Sequence, residues 1–244
     1  MSYWTLAERL KNSRFVDLTH PMDVEIPHFS KAVPMEKEQV AETARDGFSV
    51  QRFHFEGQWG THADAPSHFV DGLKTLDAID VRDMILPLAV IDVSAKVKAD
   101  SDYALTTGDI AEYEERFGKI PEGAFVAMRS DWSERWPDQK RFVNLDREGR
   151  QRTPGWSLDA LRFLVEERAV AAIGHETIDT DPGLSGAASG FAAEHYILSR
   201  NLYQIEMMAN LNRADQAGGM VIAAFPKVAG ASGFPARVFA LFSP

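Results

Sequence analysis

From residue 124 onward, segments with strand character alternate with segments of helical periodicity, and this restricts the chain to folds that mix helices with sheet. Strand signals fall at 124–129, 169–173, 202–207, 220–225 and 237–242. Between them lie a helix over 157–168 and another over 191–200. The first places Leu158, Leu161, Leu164 and Val165 on one face behind Ser157, a residue suited to an N-cap. The first half is richer in strands and loops. Residues 50–56 alternate Phe53 and Phe55 against Arg52, His54 and Glu56, a period-2 strand pattern, and 86–93 is a further strand. Helices are expected over 109–117, with Asp109 as cap, and over 2–11, where Leu6 and Leu10 form an apolar stripe. No repeat and no Gly/Ser- or Pro-rich linker divides the chain, so it reads as one α/β domain over residues 1–244 with its topology open.

Composition narrows the function classes. The chain has no cysteine, which excludes disulfides, thiolate metal ligands and cysteine nucleophiles and leaves histidine and carboxylate donors. A formal charge of −10 with no long Lys/Arg block argues against a nucleic-acid binder. No run approaches the roughly 18 apolar residues of a membrane span. Glu8, Arg9, Lys11 and Arg14 interrupt any signal-peptide core, so a cytoplasmic protein is expected. The glycine fingerprints of dinucleotide and phosphate sites and the G-x-S-x-G elbow are absent. His175-Glu176 matches only the first two letters of a zincin motif.

The chemistry concentrates between Gln58 and His68, in Gln58-Trp59-Gly60-Thr61-His62-Ala63-Asp64-Ala65-Pro66-Ser67-His68. Pro66 rules out one continuous helix here and pushes Ala65 toward extended backbone. In an extended segment residues two apart point the same way, so His62 and Asp64 converge on one point. That suits either a metal's ligand shell or a hydrogen-bonded pair in a polar loop. His68, beyond the proline turn, approaches from another side.

The full segment resembles the H-x-G-T-H-x-D-x-P-x-H signature of the cyclase family of metal-dependent hydrolases, which includes bacterial kynurenine formamidase and isatin hydrolase. The match is G-T-H-A-D-A-P-S-H. The resemblance extends to Phe15-Val16-Asp17-Leu18-Thr19-His20-Pro21, to residues 124–132, to Thr153-Pro154-Gly155-Trp156-Ser157, and to residues 174–181, where Glu176 stands in place of the usual Asp. It implies a twisted β-barrel-like core flanked by helices, of the swivelling β/β/α type. It also implies His62 and Asp64 as metal ligands, joined by a distant histidine mapped onto His195 and a glutamate mapped onto Glu206, with His68 as the proton-transfer residue. Gln58 stands where the family's first ligand histidine belongs, and offers a neutral oxygen donor instead of an imidazole.

The resemblance implies metal-dependent hydrolysis of a small linear or cyclic carboxamide, such as an aryl formamide or a lactam, by metal-activated water with His68 as general base and acid. The expected cofactor is one Mn²⁺ or Zn²⁺ ion. Phe53 and Trp59 are candidate substrate-binding aromatics, Trp59 being equally suited to the core. Competing readings are a metal-binding member without turnover and a lyase or cyclase acting on another carbonyl compound. The partners expected are a small-molecule substrate and further copies of the chain in a dimer or tetramer, with Trp4 of the N-terminal helix as a contact. His20, His28 and His54 read as loop, pocket-wall or solvent-facing residues, Met207 and Met208 as core, and Glu194 as a solvated helix residue. His175 reads as structural or functional alike.

Overall fold

A computed structural model describes residues 2–29 and 32–244; Met1, within the expected N-terminal contact segment, lies outside the described residues. The strands are β1 (Arg14–Asp17), β2 (Glu36–Ala41), β3 (Val50–His54), β4 (His62–Asp64), β5 (Ile85–Asp92), β6 (Ala104–Leu105), β7 (Phe125–Arg129), β8 (Gly155–Trp156), β9 (Ala172–His175), β10 (Tyr203–Glu206), β11 (Gly219–Ala224), β12 (Gly233–Pro235) and β13 (Arg237–Phe242). The helices are α1 (Tyr3–Lys11), α2 (Thr43–Asp46), α3 (Ser94–Ala99), α4 (Thr107–Phe117), α5 (Gln139–Val143), α6 (Leu158–Arg168), α7 (Gly183–Ser189) and α8 (Ala192–Ser199).

Nine strands form one strongly curled half-barrel sheet in the order β1-β13-β11-β5-β7-β9-β10-β4-β12. Its centre, β5-β7-β9-β10, is parallel, and the pairs flanking it on both sides are antiparallel. Covered on both faces over most of their length, the central strands are largely apolar, apart from Asp92 and Arg129 at strand ends and His175, Gln204 and Glu206 on β9 and β10. Leu86, Leu88, Val90, Phe125, Ala127 and Ile205 fill the inner face, while Ala89, Ile91, Val126, Met128 and Ile173 meet α4, α6 and α8 on the outer face.

The helix ends follow local chemistry. The Ser157 side chain caps α6 by accepting from Ala160 N at 3.2 Å, as expected. In α4 the cap is Thr106, and the expected cap Asp109 is the third helical residue, its carboxylate reaching back in a capping box. The strand expected over 169–173 begins instead at Ala172. Ala169 ends α6 in left-handed backbone with φ 48°, so the chain needs further residues before it enters the sheet.

Two segments stand outside this packing. No residue of α1 is buried, with Tyr3 and Trp4 more than 85% exposed. The β2–β3 hairpin is also exposed along almost its whole length. No described helix is long and apolar enough to cross a membrane.

Candidate metal centre

The centre is built by strand register. β4 and β10 pair antiparallel with His62 opposite Glu206 and Asp64 opposite Gln204. Because strand side chains alternate, Ala63 and Ile205 point into the inner core and all four polar residues share the outer face. β12 runs along the other side of β4, with Gly233 opposite Asp64. A Cβ on Gly233 would collide with Gln58 Nε2 and with Asp64 Oδ1, so the glycine lets this strand lie against the site. Over the sheet sits α8, whose first turn is held by Asp181: its carboxylate accepts from Ala193 N and Glu194 N, each at 3.0 Å. Thus anchored, α8 carries Glu194 into the site.

The His62 ring is buried, and its Nδ1 lies 2.8 Å from the Gly60 carbonyl, to which it donates. A neutral ring held this way presents its Nε2 lone pair, buried and without a hydrogen-bond partner, 3.4 Å from Asp64 Oδ2 and 3.5 Å from Glu206 Oε2. Without an ion, burial works to lower the His62 pKa, but Asp64 prevails and raises it. One imidazole nitrogen and two carboxylates converging on a buried point have the donor chemistry of a divalent-cation site, and the three residues fit such an ion. A second group, Asp64, His68 and Glu194, shares Asp64 and also converges within 4.8 Å. Below both, the Gln204 amide nitrogen lies 3.2 Å from Asp64 Oδ2, 3.1 Å from Glu194 Oε1 and 3.0 Å from Glu206 Oε1. Thr180 donates its hydroxyl to Gln204 Oε1 at 2.7 Å, which turns the amide NH₂ toward the carboxylates.

Crowding of acids shapes the electrostatics. Burial pushes the Glu206 carboxyl well up, and the Glu194, Asp64 and Asp179 charges add to this. Burial and the same neighbours raise Glu194. Asp64 goes the other way, to about 2: burial works to raise it, but the His62 and His68 charges and the Gln204 hydrogen bond prevail. Burial drives the His175 imidazole down to about 3. A cation at this point offsets the carboxylate repulsion directly.

The centre opens into a cavity of about 280 Å³. Phe29, Phe69, Phe191, Ile178 and Met207 supply apolar walls, and His62, His68, Glu194, Glu206 and Asp179 supply the polar end. His68 sits on a short turn after Pro66, edge-on to Phe69, with Nδ1 3.4 Å from Gln58 Nε2.

The structure thus brings His62, Asp64, Glu206 and His68 together. Gln58 lies beside them, its amide nitrogen 3.2 Å from Asp64 Oδ1, outside the three converging donors. His195 does not join them. It is exposed on α8, edge-on to Phe69. The buried face of α8 is set by Ala193, Ile197 and Leu198, and helical spacing puts Glu194 on that face and His195 beside it in solvent. Glu194 is accordingly not the solvated residue expected from sequence.

Neither candidate substrate aromatic lines the cavity, and Trp59 takes the core place to which it was equally suited. Trp59 is fully buried in a satellite cluster with Ile26 and Met35, stacked on His28 and donating to the Asp23 carbonyl at 3.0 Å. Phe53 is 44% exposed on the hairpin, away from the cavity. The aromatic walls of the cavity are instead Phe29, Phe69 and Phe191. Sequence reasoning missed Gln204 as well, although its two-residue spacing from Glu206 on a strand was a usable signal.

Comparison with known proteins identifies the family. The profile of the family described as "Putative cyclase" matches residues 16–182. The chain belongs to this cyclase family. Among its relatives, the isatin hydrolase of Roseibium aggregatum is 34% identical over 223 residues, 88% of this chain and 84% of that protein. The cyclase-family fold is shared with isatin hydrolase A of Labrenzia aggregata bound to benzyl benzoate, with a TM-score of 0.92, 30% identity and full coverage of both chains. An isatin hydrolase bound to the product analogue thioisatinate also has a TM-score of 0.92, at 29% identity and full coverage of both chains.

Proposed function

We propose that this cyclase-family chain is a metal-dependent amidohydrolase that opens a small aryl carboxamide, with an isatin-type lactam as the leading substrate class and an aryl formamide next. The observation that carries the reading is the bare, buried His62 Nε2 between Asp64 and Glu206 at the polar end of an aromatic-walled cavity. The isatin hydrolases it resembles along the whole chain support the substrate class.

His62, Asp64 and Glu206 would hold the ion, whose chemistry is to polarise the amide carbonyl and acidify water. Phe29, Phe69 and Phe191 bind the aryl ring and keep bulk water from the reacting carbonyl. His68, at the same polar end, removes a proton from the attacking water oxygen. A bond forms from that oxygen to the carbonyl carbon, the C–N bond breaks, and His68 returns the proton to the leaving nitrogen. The products are a carboxylic acid, which ionises by releasing its proton to solvent, and an aryl amine, both on one molecule when the substrate is a lactam. No protein nucleophile takes part.

With His195 outside the site, the donors are one imidazole and two carboxylates, an oxygen-rich set that favours manganese over zinc. Asp64 and Glu206 together balance the charge of one divalent ion. The exposed Tyr3 and Trp4 on α1 support a homo-oligomer in which this helix is covered by a second copy.

The test is hydrolysis of isatin and a panel of aryl formamides, followed with and without a chelator, alongside elemental analysis of protein purified without added metal. Chelator-sensitive ring opening of isatin is expected. Turnover by metal-free protein would overturn the mechanism, and a metal-loaded protein inert to the panel would overturn the substrate class.

A further inference from the structure

Two residues behind the centre have no part in the chemistry above. His175 ends β9 and is completely buried, as is Trp156 at the end of β8. The Trp156 indole nitrogen lies 3.4 Å from His175 Nδ1. An indole N–H only donates, so Nδ1 must present its lone pair. The one ring proton of a neutral imidazole is then on Nε2, and this nitrogen lies 3.2 Å from Glu206 Oε1. The other oxygen of the same carboxylate, Oε2, faces His62 Nε2.

A directional relay results: Trp156 N–H donates to His175 Nδ1, and His175 Nε2–H donates to Glu206 Oε1, which leaves Oε2 for the converging point. Gln204 Nε2, 3.0 Å from the same Oε1, assists from the side. His175 is placed by its backbone as firmly as by its ring. Its carbonyl accepts from Met208 N at 2.9 Å, and the preceding Gly174 lets β9 lie against Phe125 and Met208, with which any Cβ would clash.

We infer that His175, held in its Nε2–H tautomer by Trp156, is a positioning residue that orients Glu206 for metal binding without itself ligating the ion. This rests on the metal-centre reading above. A carboxylate on a flexible side chain loses rotamer freedom on binding an ion; a fixed donor on its far oxygen restricts that freedom beforehand. Outer partners of this kind typically change metal affinity by about 10–100-fold when removed. Without Trp156 the ring is free to take the opposite tautomer, which turns a lone pair toward Glu206 and opposes the same orientation.

The experiment measures Mn²⁺ affinity of the full chain by calorimetric titration, together with the ring tautomer of His175 from two-bond ¹H–¹⁵N spectra of metal-free protein. The spectra are expected to show the proton on Nε2. His175→Leu is expected to weaken Mn²⁺ binding by about 10–100-fold. His175→Gln, whose amide nitrogen reaches the same place as Nε2, is expected to recover most of that loss. Trp156→Phe is expected to weaken binding less than His175→Leu and to raise the fraction of the Nδ1–H tautomer. Should His175→Leu fail to fold, the wild-type tautomer and Trp156→Phe decide the matter. A wild-type Mn²⁺ affinity in folded His175→Leu, or an Nδ1–H tautomer in the wild type, overturns the inference. A loss that His175→Gln does not recover overturns it too, by placing His175 among the ligands. Failure of the wild type to bind Mn²⁺ overturns the metal-centre reading itself, whereas normal Mn²⁺ binding with no turnover overturns only the proposed reaction.

Discussion

His62 and Glu206 face one another as register partners across the β4–β10 pair, with Nε2 and Oε2 3.5 Å apart. Neither side chain is complete alone: one offers an unpartnered nitrogen, the other a carboxylate raised by burial and neighbouring acids. A divalent ion resolves both. Asp64, two residues from His62 on the same face, supplies the third donor.

Asp64 belongs to both converging groups, so its charge is the hardest to replace. Asp64→Asn keeps the size and removes the charge, and metal content measured by elemental analysis should fall to background. Full occupancy in the variant would remove Asp64 from the ligand set.

Glu194 and His195 offer a sharp contrast on α8. His195→Ala removes an exposed ring and should leave metal content unchanged, with kcat/KM within about threefold of wild type, a range typical of surface changes. Glu194→Gln alters a buried carboxylate beside Asp64 and should lower kcat/KM by tenfold or more, roughly 1.4 kcal/mol of transition-state stabilisation. Steady-state kinetics on the pair checks both, and the reverse ranking would restore the histidine as a ligand.

His68 lines the cavity on its own turn and converges with Asp64 and Glu194, outside the His62, Asp64 and Glu206 group. His68→Ala should retain the ion at the His62 group while losing about 10²–10⁴-fold in rate. Metal analysis and single-turnover kinetics on one preparation separate a proton-transfer role from ligation.

Asp179 gives a pH-dependent test. Burial, with the Asp181 and Asp64 charges, pushes its carboxyl from 3.8 up to about 6, against the hydrogen bond donated by Gln151. Below pH 3.8 the group is neutral in both folded and unfolded chains and costs nothing. As pH rises toward 6 the unfolded chain gives up its proton first, so stability falls; above 6 the loss is complete, on the order of 2–3 kcal/mol. Asp179→Asn should therefore raise the melting temperature of metal-free protein near neutral pH, with the difference closing toward about pH 4. An equal difference at both ends would mean that the charge is not the cause.

What was legible in the sequence was local. Period-2 alternation placed His62 and Asp64 on one face, Pro66 set His68 on a separate turn, and Ser157 marked the start of α6. Apolar periodicity found most central strands because each is buried on both faces. The ligand set was only half local. Helical spacing from Ala193, Ile197 and Leu198 is compatible with Glu194 on the buried face, yet motif position drew attention to His195 and left Glu194 read as solvated.

The sequence by itself determined the residue types, the extended His62–Asp64 pair and the mixed α/β class, since these depend on neighbours a few residues away. Only the tertiary structure decided which distant groups complete the centre. Antiparallel register put Glu206 opposite His62 and Gln204 opposite Asp64, and the Asp181 anchor turned Glu194 inward. It also sent Trp59 into a satellite core and Phe53 onto an exposed hairpin, leaving Phe29, Phe69 and Phe191 as the walls. The physical reason is that a one-residue change of strand register or helix rotation exchanges the inner and outer faces, and that choice is made by the packing of the whole sheet against α8, which no single segment contains.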